Sequence, residues 1–101
     1  MSGIKHDQGK APITLIPSEV IIGMAEVLAM GKDKYGELNW KKGIKYRRLI
    51  DAAFRHLLAF QSGQNNDLES NKSHILHCMV NLSFLFYFTN HNSELDDRWE
   101  K

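Results

Sequence analysis

Cysteine is scarce in this sequence and long apolar runs are absent, and each shortage excludes a class of protein. Cys78 is the single cysteine among 101 residues, so an internal disulfide is excluded and a reducing compartment is expected. Its neighbours in the sequence are apolar, which favours a packed thiol over a nucleophile. The N-terminus has no apolar stretch of the signal-peptide kind, and the longest apolar segment is interrupted by His77 and Asn81. We therefore expect a soluble cytoplasmic protein without a membrane partner.

A large excess of charge of one sign is also lacking, because 13 basic residues oppose 12 acidic ones. The charges are unevenly distributed, however. Residues 32–48 contain seven lysines and arginines against two acids, whereas residues 49–101 contain more acids than bases. A short basic segment beside an acidic remainder is typical of a protein that binds a discrete anionic ligand such as a phosphorylated metabolite. Duplex nucleic acid is the less favoured partner.

Helical spacing of apolar residues defines the fold class. Three segments show it, beginning at Ser18, Lys45 and Ser73 and ending at Gly31, Gln61 and Asn90. With 43% hydrophobic residues, the chain can form one core but no separate catalytic domain. We predict an all-α protein, a small bundle of three main helices in a single domain.

The regions outside the helices are polar. We predict an N-terminal arm over residues 1–16, a helical core over residues 17–90 and a charged C-terminal tail over residues 91–101. The arm contains the short apolar run Ile13, Leu15 and Ile16, which we expect to pin it onto the body of the protein.

The third helical segment, SHILHCMVNLSFLFYFTN, is apolar on nearly all sides. Three helices of this length cannot cover it, so we predict a homo-oligomer that buries one of its sides. Its polar exceptions are His74, His77 and Asn81, whose spacings of three and four residues place them on one stripe. Polar groups on such a helix need partners, because an unpaired buried group costs about 1–3 kcal/mol. The stripe therefore predicts a lined pocket.

A third histidine, His56, falls on the apolar face of the second helical segment. Antiparallel packing of the second and third segments would bring it toward His74 and His77. Asp67 and Glu69 lie in the loop between the segments. Such nitrogen and oxygen donors suit Zn, Mn, Fe, Co or Ni better than Mg. A buried hydrogen-bond network and a metal-free ligand pocket stay open as alternatives.

The basic segment from Lys32 to Gly43 combines lysines with two aromatic residues, Tyr35 and Trp40. Its glycines indicate a loop for at least part of its length. In one interpretation the aromatic rings close the end of the core and the lysines are solvated. In the other, the rings and the ammonium groups contact the base and the phosphates of a nucleotide.

Two ordered motifs point to a family: K-Y-G-x-x-N-W over residues 34–40, and R-H…D-x-E-S…H-x-x-H-x-x-x-N over residues 55–81. The full set of matching residues is Lys5, Asp7, Gly9, Lys10, Pro12, Leu15, Ile16, Pro17, Gly31, Lys34, Tyr35, Gly36, Asn39, Trp40, Gly43, Arg55, His56, Leu57, Asp67, Glu69, Ser70, His74, His77 and Asn81. In these residues the chain resembles the phage family named for the N-terminal domain of dATP/dGTP diphosphohydrolases. The resemblance covers residues 5–88.

The resemblance implies a MazG-like nucleotide pyrophosphohydrolase: an all-α, oligomeric, metal-dependent enzyme that cuts a nucleoside triphosphate into monophosphate and pyrophosphate, here in the cytoplasm of a phage host. The expected divalent metal is Mn, Zn, Ni, Co or Mg. The implied metal ligands are His56, Glu69, His74 and His77. The implied catalytic carboxylates are Asp67 and Glu69. The implied nucleotide contacts are Lys10, Lys34, Tyr35, Asn39, Trp40, Arg55 and Asn81.

The chain departs from the MazG pattern where the second pair of Mg-binding carboxylates would stand, since His74 and His77 occupy that place. This departure keeps a second function open, in which the same pocket binds a nucleotide without cutting it and sequesters a nucleotide signal of bacterial defence. A structural oligomer without a ligand is the third alternative.

Overall fold

The computed structural model describes residues 3, 4, 6 and 8–99, and these form helices, turns and loops without a strand. Lys5 and Asp7, which belong to the family resemblance, lie outside the described residues. The main helices are α1 (Ser18–Tyr35), α2 (Tyr46–Gln61) and α3 (His74–His91). Short 3-10 helices cover Ile13–Leu15, Asn39–Lys42 and Ser93–Leu95. The prediction of an all-α bundle is thus confirmed.

The core lies between α2 and α3, which pack antiparallel. Tyr46, at the start of α2, is buried against Phe88, near the end of α3, together with Leu49. The Tyr46 hydroxyl donates a hydrogen bond of 3.1 Å to the carbonyl oxygen of Phe88. Trp40 closes this end of the core. The opposite end of the helix pair, where the connecting loop lies, holds the histidines.

The first helix packs on α3 rather than on α2. Gly23 faces Leu76, whose side chain would be only 2.7 Å from a Cβ at that position, so the missing side chain permits the close approach of the two helices. The helix continues past Gly31 to Tyr35, and the prediction that it ends at Gly31 is wrong. A glycine inside a helix costs only about 1 kcal/mol, which the favourable neighbouring residues offset. The actual stop is Gly36, which has a φ of 96°.

The N-terminal arm is not pinned onto the body. Ile13, Leu15 and Ile16 are 65%, 78% and 48% exposed, so that expectation is wrong. At the other end of the chain, Leu95 packs against the core, whereas Trp99 is 87% exposed. None of the helices in the described part of the chain has the length and apolar character needed to cross a membrane.

Candidate functional site

Three histidine rings lie together where α2 and α3 approach the connecting loop. Nδ1 of His56 and Nδ1 of His74 are 2.9 Å apart, across the packing of the two helices. The ring of His77 stacks on that of His56, with centroids 4.6 Å apart and planes 7° from parallel. His74 is the most enclosed of the three, with 4% of its surface exposed. The antiparallel packing therefore brings the three predicted histidines into one cluster.

Gln64, in the connecting loop, determines the protonation pattern of this cluster. Its Oε1 lies 2.6 Å from Nε2 of His74. An amide oxygen only accepts hydrogen bonds, so Nε2 of His74 carries the proton and Nδ1 of the neutral ring carries the lone pair. Nδ1 of His56 must then donate to Nδ1 of His74. This arrangement leaves the lone pair of neutral His56 on Nε2, where it can bind a ligand.

The connecting loop holds Asp67 beside the histidines. Its Oδ1 accepts hydrogen bonds of 2.9 Å from the backbone N–H groups of Glu69 and Ser70. The backbone N–H of Asp67 donates to the carbonyl oxygen of Lys72, and its carbonyl oxygen accepts from the N–H of Asn71. These two hydrogen bonds hold the turn in place. The Ser70 N–H lowers the pKa of Asp67 below its ordinary value, and the Glu69 N–H acts in the same direction. Asp67 is therefore an ionised, fixed carboxylate at neutral pH.

The second polar pair in the cluster joins His77 to Ser70. Nε2 of His77 lies 2.7 Å from Oγ of Ser70, which also accepts the Lys72 backbone N–H at 3.1 Å. Asn81, one turn further along α3, donates from Nδ2 to the His77 carbonyl oxygen at 2.8 Å. The Ser70 contact orients the His77 ring, and His56 covers one of its faces.

Burial keeps the half-buried histidines neutral. Desolvation is the main cause that lowers the pKa of His56 below its ordinary value, and nearby His77 and His74 lower it further. Desolvation also lowers the pKa of His77, although Asp67 acts in the opposite direction. A neutral imidazole is the form that binds a metal ion, so the cluster is prepared for ligation at neutral pH.

One set of side chains in the described residues is spaced closely enough to hold a metal ion. One donor atom each from His56, Asp67 and His74 lies within 4.8 Å of the other two. Glu69, a predicted ligand, is not in this set, because its side chain is 83% exposed and pairs with Lys34 at 3.2 Å. His77, also predicted, is adjacent but engages Ser70 through Nε2. Asp67, predicted as a catalytic carboxylate, is the acidic residue of this set.

The predicted nucleotide contacts are distributed over two ends of the bundle. Lys34, at the end of α1, reaches the histidine-bearing loop through Glu69, and the neighbouring Tyr35 is 61% exposed. Trp40 instead stacks on Phe84 near the opposite end of α3, with centroids 4.6 Å apart. Half-buried Asn39 begins the same short helix as Trp40.

The other two predicted cationic contacts are exposed. Arg55 precedes His56 on α2, and Lys10 belongs to the arm. Sequence reasoning did not identify Gln64 as a site residue, because only the tertiary fold places it against His74. Ser73 caps α3, because its side chain accepts from the N–H groups of Ile75 and Leu76, whereas Ser70 pairs with His77.

Comparisons with known proteins agree with the family resemblance. The family described as dATP/dGTP diphosphohydrolase, N-terminal, matches residues 1–98. A relative named dATP/dGTP diphosphohydrolase, from Salmonella phage PMBT28, is 43% identical over 98 residues. The match covers 97% of this chain and 33% of the relative, so the chain spans about a third of that protein's length. No solved structure gives a significant match.

Proposed function

The chain belongs to the dATP/dGTP diphosphohydrolase N-terminal family, and from this premise we propose that it is a phage nucleotide pyrophosphohydrolase domain. It binds a purine deoxynucleoside triphosphate and, with a divalent metal, releases pyrophosphate. The observation that supports this most strongly is the approach of donor atoms of His56, Asp67 and His74 within 4.8 Å of one another. The relative's name supports the substrate class, and the cluster supports the metal dependence.

The donor set fits a divalent transition metal better than Mg. Two imidazole nitrogens and one carboxylate suit Mn, Co, Ni or Zn, whereas Mg prefers an all-oxygen shell. A metal ion held by Nδ1 of both imidazoles would take the place of the 2.9 Å hydrogen bond between them, and His56 would then carry its proton on Nε2. The chemistry that such an ion supplies is positive charge beside phosphate oxygens.

The protein's own groups complete the site. Hydrogen bonding by the side chains of Tyr35 and Glu69 raises the pKa of Lys34, so its ammonium group is charged at neutral pH. A phosphate group can replace the exposed Glu69 carboxylate as the partner of Lys34, because both are anionic. The displaced Glu69, together with Asp67, is then available to orient a water molecule and accept its proton. Arg55 adds a second exposed positive charge next to His56.

A second function rests on one specific feature, the two histidines that stand where MazG-type enzymes place a carboxylate pair. In that alternative the pocket holds a nucleotide through Lys34, Tyr35 and the imidazoles but does not cut it. A phage protein of this kind would remove a nucleotide signal from the host's defence. The two functions share the binding site and differ in turnover.

We also propose that the working form is a homo-oligomer. Phe86 on α3 is 70% exposed, and Leu82, one turn earlier, is 47% exposed. Phe54 and Leu58 on α2 are 59% and 60% exposed. Apolar side chains concentrated on two adjacent helices are typical of an interface between subunits.

Phosphorus NMR tests the proposed reaction. The purified chain is incubated with each dNTP in the presence of Mn, Zn, Co, Ni or Mg, and we expect pyrophosphate from dATP or dGTP with one of the transition metals. Asp67→Asn, which keeps the shape of the side chain, should abolish the product, while Asp51→Asn on the exposed side of α2 should not. A nucleotide-induced rise in Tm without pyrophosphate would overturn the enzyme and favour the sequestering function. No binding and no product would overturn both.

A further inference from the structure

An apolar groove lies on one side of the α2 and α3 pair. The residues that line it are Ile50, Ala53, Phe54, Leu57, Cys78 and Leu82, and its volume is about 200 Å³. A cavity of ~150 Å³ lined by similar side chains stays dry and accepts a benzene molecule. The groove can therefore accommodate one or two branched aliphatic side chains, and it offers them almost no polar surface. We refer to it as the α2–α3 groove.

The N-terminal arm carries aliphatic side chains that its own chain leaves uncovered. Ile13, Leu15 and Ile16 are 65%, 78% and 48% exposed, although Ile13–Leu15 already form a 3-10 helix. A preformed segment loses less conformational entropy on binding than an unstructured one. The arm thus combines exposed aliphatic side chains with a preformed backbone, which are the properties of a docking segment.

The chain exposes more surface than a compact monomer of its mass would. The chain exposes 8258 Å², whereas a compact monomer of 11.6 kDa would expose about 5,800 Å². Its radius of gyration is 16.7 Å, against about 12.7 Å for a compact domain of this length. The difference in area, about 2,400 Å², exceeds the ~800 Å² that each partner buries in a standard interface. A second copy can therefore bury a standard interface and still leave the site open.

The groove and the first helix lie on different sides of α3. The first helix, which the arm precedes, packs on α3 at Leu76. At about 100° per residue, Cys78 lies about 160° around α3 from Leu76, so the groove and α1 are on opposite sides of that helix. The arm of the same chain would have to cross over the helix pair to reach the groove, whereas the arm of another copy approaches it from solvent.

We propose that the arm of one copy inserts Leu15 and its aliphatic neighbours into the α2–α3 groove of a second copy. The contact exchanges arms between subunits and covers the exposed Phe54, Leu57 and Leu82. It rests on the homo-oligomer proposed above and does not require nucleotide binding or hydrolysis.

The single native cysteine provides a direct test, because Cys78 lines the groove. Leu15→Cys combined with Cys78→Ser is mixed with wild-type protein under mild oxidation and run on a non-reducing gel. We expect a disulfide-linked dimer, with mass spectrometry locating the bond between position 15 and Cys78. The matched control is Thr14→Cys with Cys78→Ser. It should give at least about tenfold less disulfide-linked dimer, because only a docked side chain brings its thiol to a high local concentration beside Cys78. Leu82→Cys in a Cys78→Ser background is a second acceptor at the mouth of the groove.

The remaining outcomes separate the proposals. If Leu15→Cys alone forms a disulfide only within its own chain, the arm covers its own groove and the exchange is overturned. If sedimentation shows an oligomer but neither acceptor reacts above the Thr14→Cys control, the arm contact is wrong and the oligomer stands. If sedimentation shows a monomer at micromolar concentration and no disulfide forms, both are wrong. Pyrophosphate release, measured separately, reports on the nucleotide function alone.

Discussion

The side chain of Gln64 accepts a hydrogen bond of 2.6 Å from Nε2 of His74, and this contact orders the protons of the histidine cluster. Because the amide oxygen requires an N–H donor, His74 presents the lone pair of Nδ1 toward His56. The same pattern occurs around metal ligands, where the imidazole nitrogen opposite the metal donates to an oxygen acceptor. Gln64 is thus positioned to stabilise the cluster and, under the metal dependence proposed above, to hold His74 in place as a ligand.

Gln64→Ala tests this role. The variant leaves the buried Nε2–H group of His74 without its acceptor, so the free energy of unfolding should fall by about 1–3 kcal/mol. If the cluster binds Mn, Co, Ni or Zn, the affinity should fall about 10–100-fold, as for other outer partners of metal ligands. Thermal unfolding and metal titration by calorimetry measure the two effects. Gln61→Ala, at an exposed position on α2, is the control, and equal effects from both variants would contradict the assignment.

The lowered pKa values of His56 and His77 predict a loss of stability in mild acid. In the unfolded chain these histidines take up protons near pH 6.5, but in the folded protein they do so only at lower pH. Between the two values the unfolded state binds more protons, so the free energy of unfolding decreases as pH falls. We expect a constant Tm from pH 8 to 7 and a falling Tm below pH 6.5.

Thermal unfolding at several pH values, with a chelator present to exclude metal ligation, measures this effect. His77→Gln should reduce the decrease in Tm between pH 6.5 and 5, since it removes one of the two responsible groups. His6→Gln removes an imidazole from the exposed arm and serves as the control. A wild-type Tm that stays level down to pH 5 would show that the cluster accepts protons without cost.

Local patterns explain which parts of the fold could be predicted from sequence. The three helices follow from apolar spacing, and Ser73 before α3 is a capping residue in the position expected. The proximity of His56 to His74 follows from two adjacent helices joined by a loop of moderate length. The end of α1 could not be predicted, because Gly31 and Gly36 give the same local signal and only the backbone conformation separates them.

The choice between the loop acids depends on tertiary contacts. Asp67 and Glu69 are two residues apart, and spacing alone does not show which one faces the histidines. The loop folds around Asp67 through the backbone N–H groups of Glu69 and Ser70, which turns Glu69 outward to Lys34. The exposure of the arm could not be predicted from sequence either. An apolar run such as Ile13–Ile16 indicates that these side chains are buried, but it does not indicate whether they are buried against the same chain or another one.

The two tryptophans provide a matched comparison of core and surface. Trp40 stacks on Phe84 and makes edge contacts with Tyr87 and Phe88, whereas Trp99 is 87% exposed. We expect Trp40→Ala to lower the free energy of unfolding by about 3 kcal/mol, through lost apolar burial and aromatic packing. Trp99→Ala should change it by less than about 0.5 kcal/mol. Urea unfolding, with m values unchanged from the wild type, measures both free energies. A small effect of Trp40→Ala would contradict the core role and favour the nucleotide contact predicted from sequence.

The two glycines inside α1 differ in what surrounds them and therefore in their response to alanine. A Cβ at Gly31 would meet no atom within 4 Å, so Gly31→Ala should raise the free energy of unfolding by about 0.5–1 kcal/mol through helix propensity. A Cβ at Gly23 would lie 2.7 Å from a methyl group of Leu76. The Leu76 side chain must therefore move, and this cost reduces the gain in the free energy of unfolding. Gly23→Ala should therefore stabilise less than Gly31→Ala or destabilise the protein, and Gly23→Leu should separate α1 from α3. Denaturant unfolding of the three variants tests this order; equal stabilisation by Gly23→Ala and Gly31→Ala would show that α1 does not pack on α3 through Gly23.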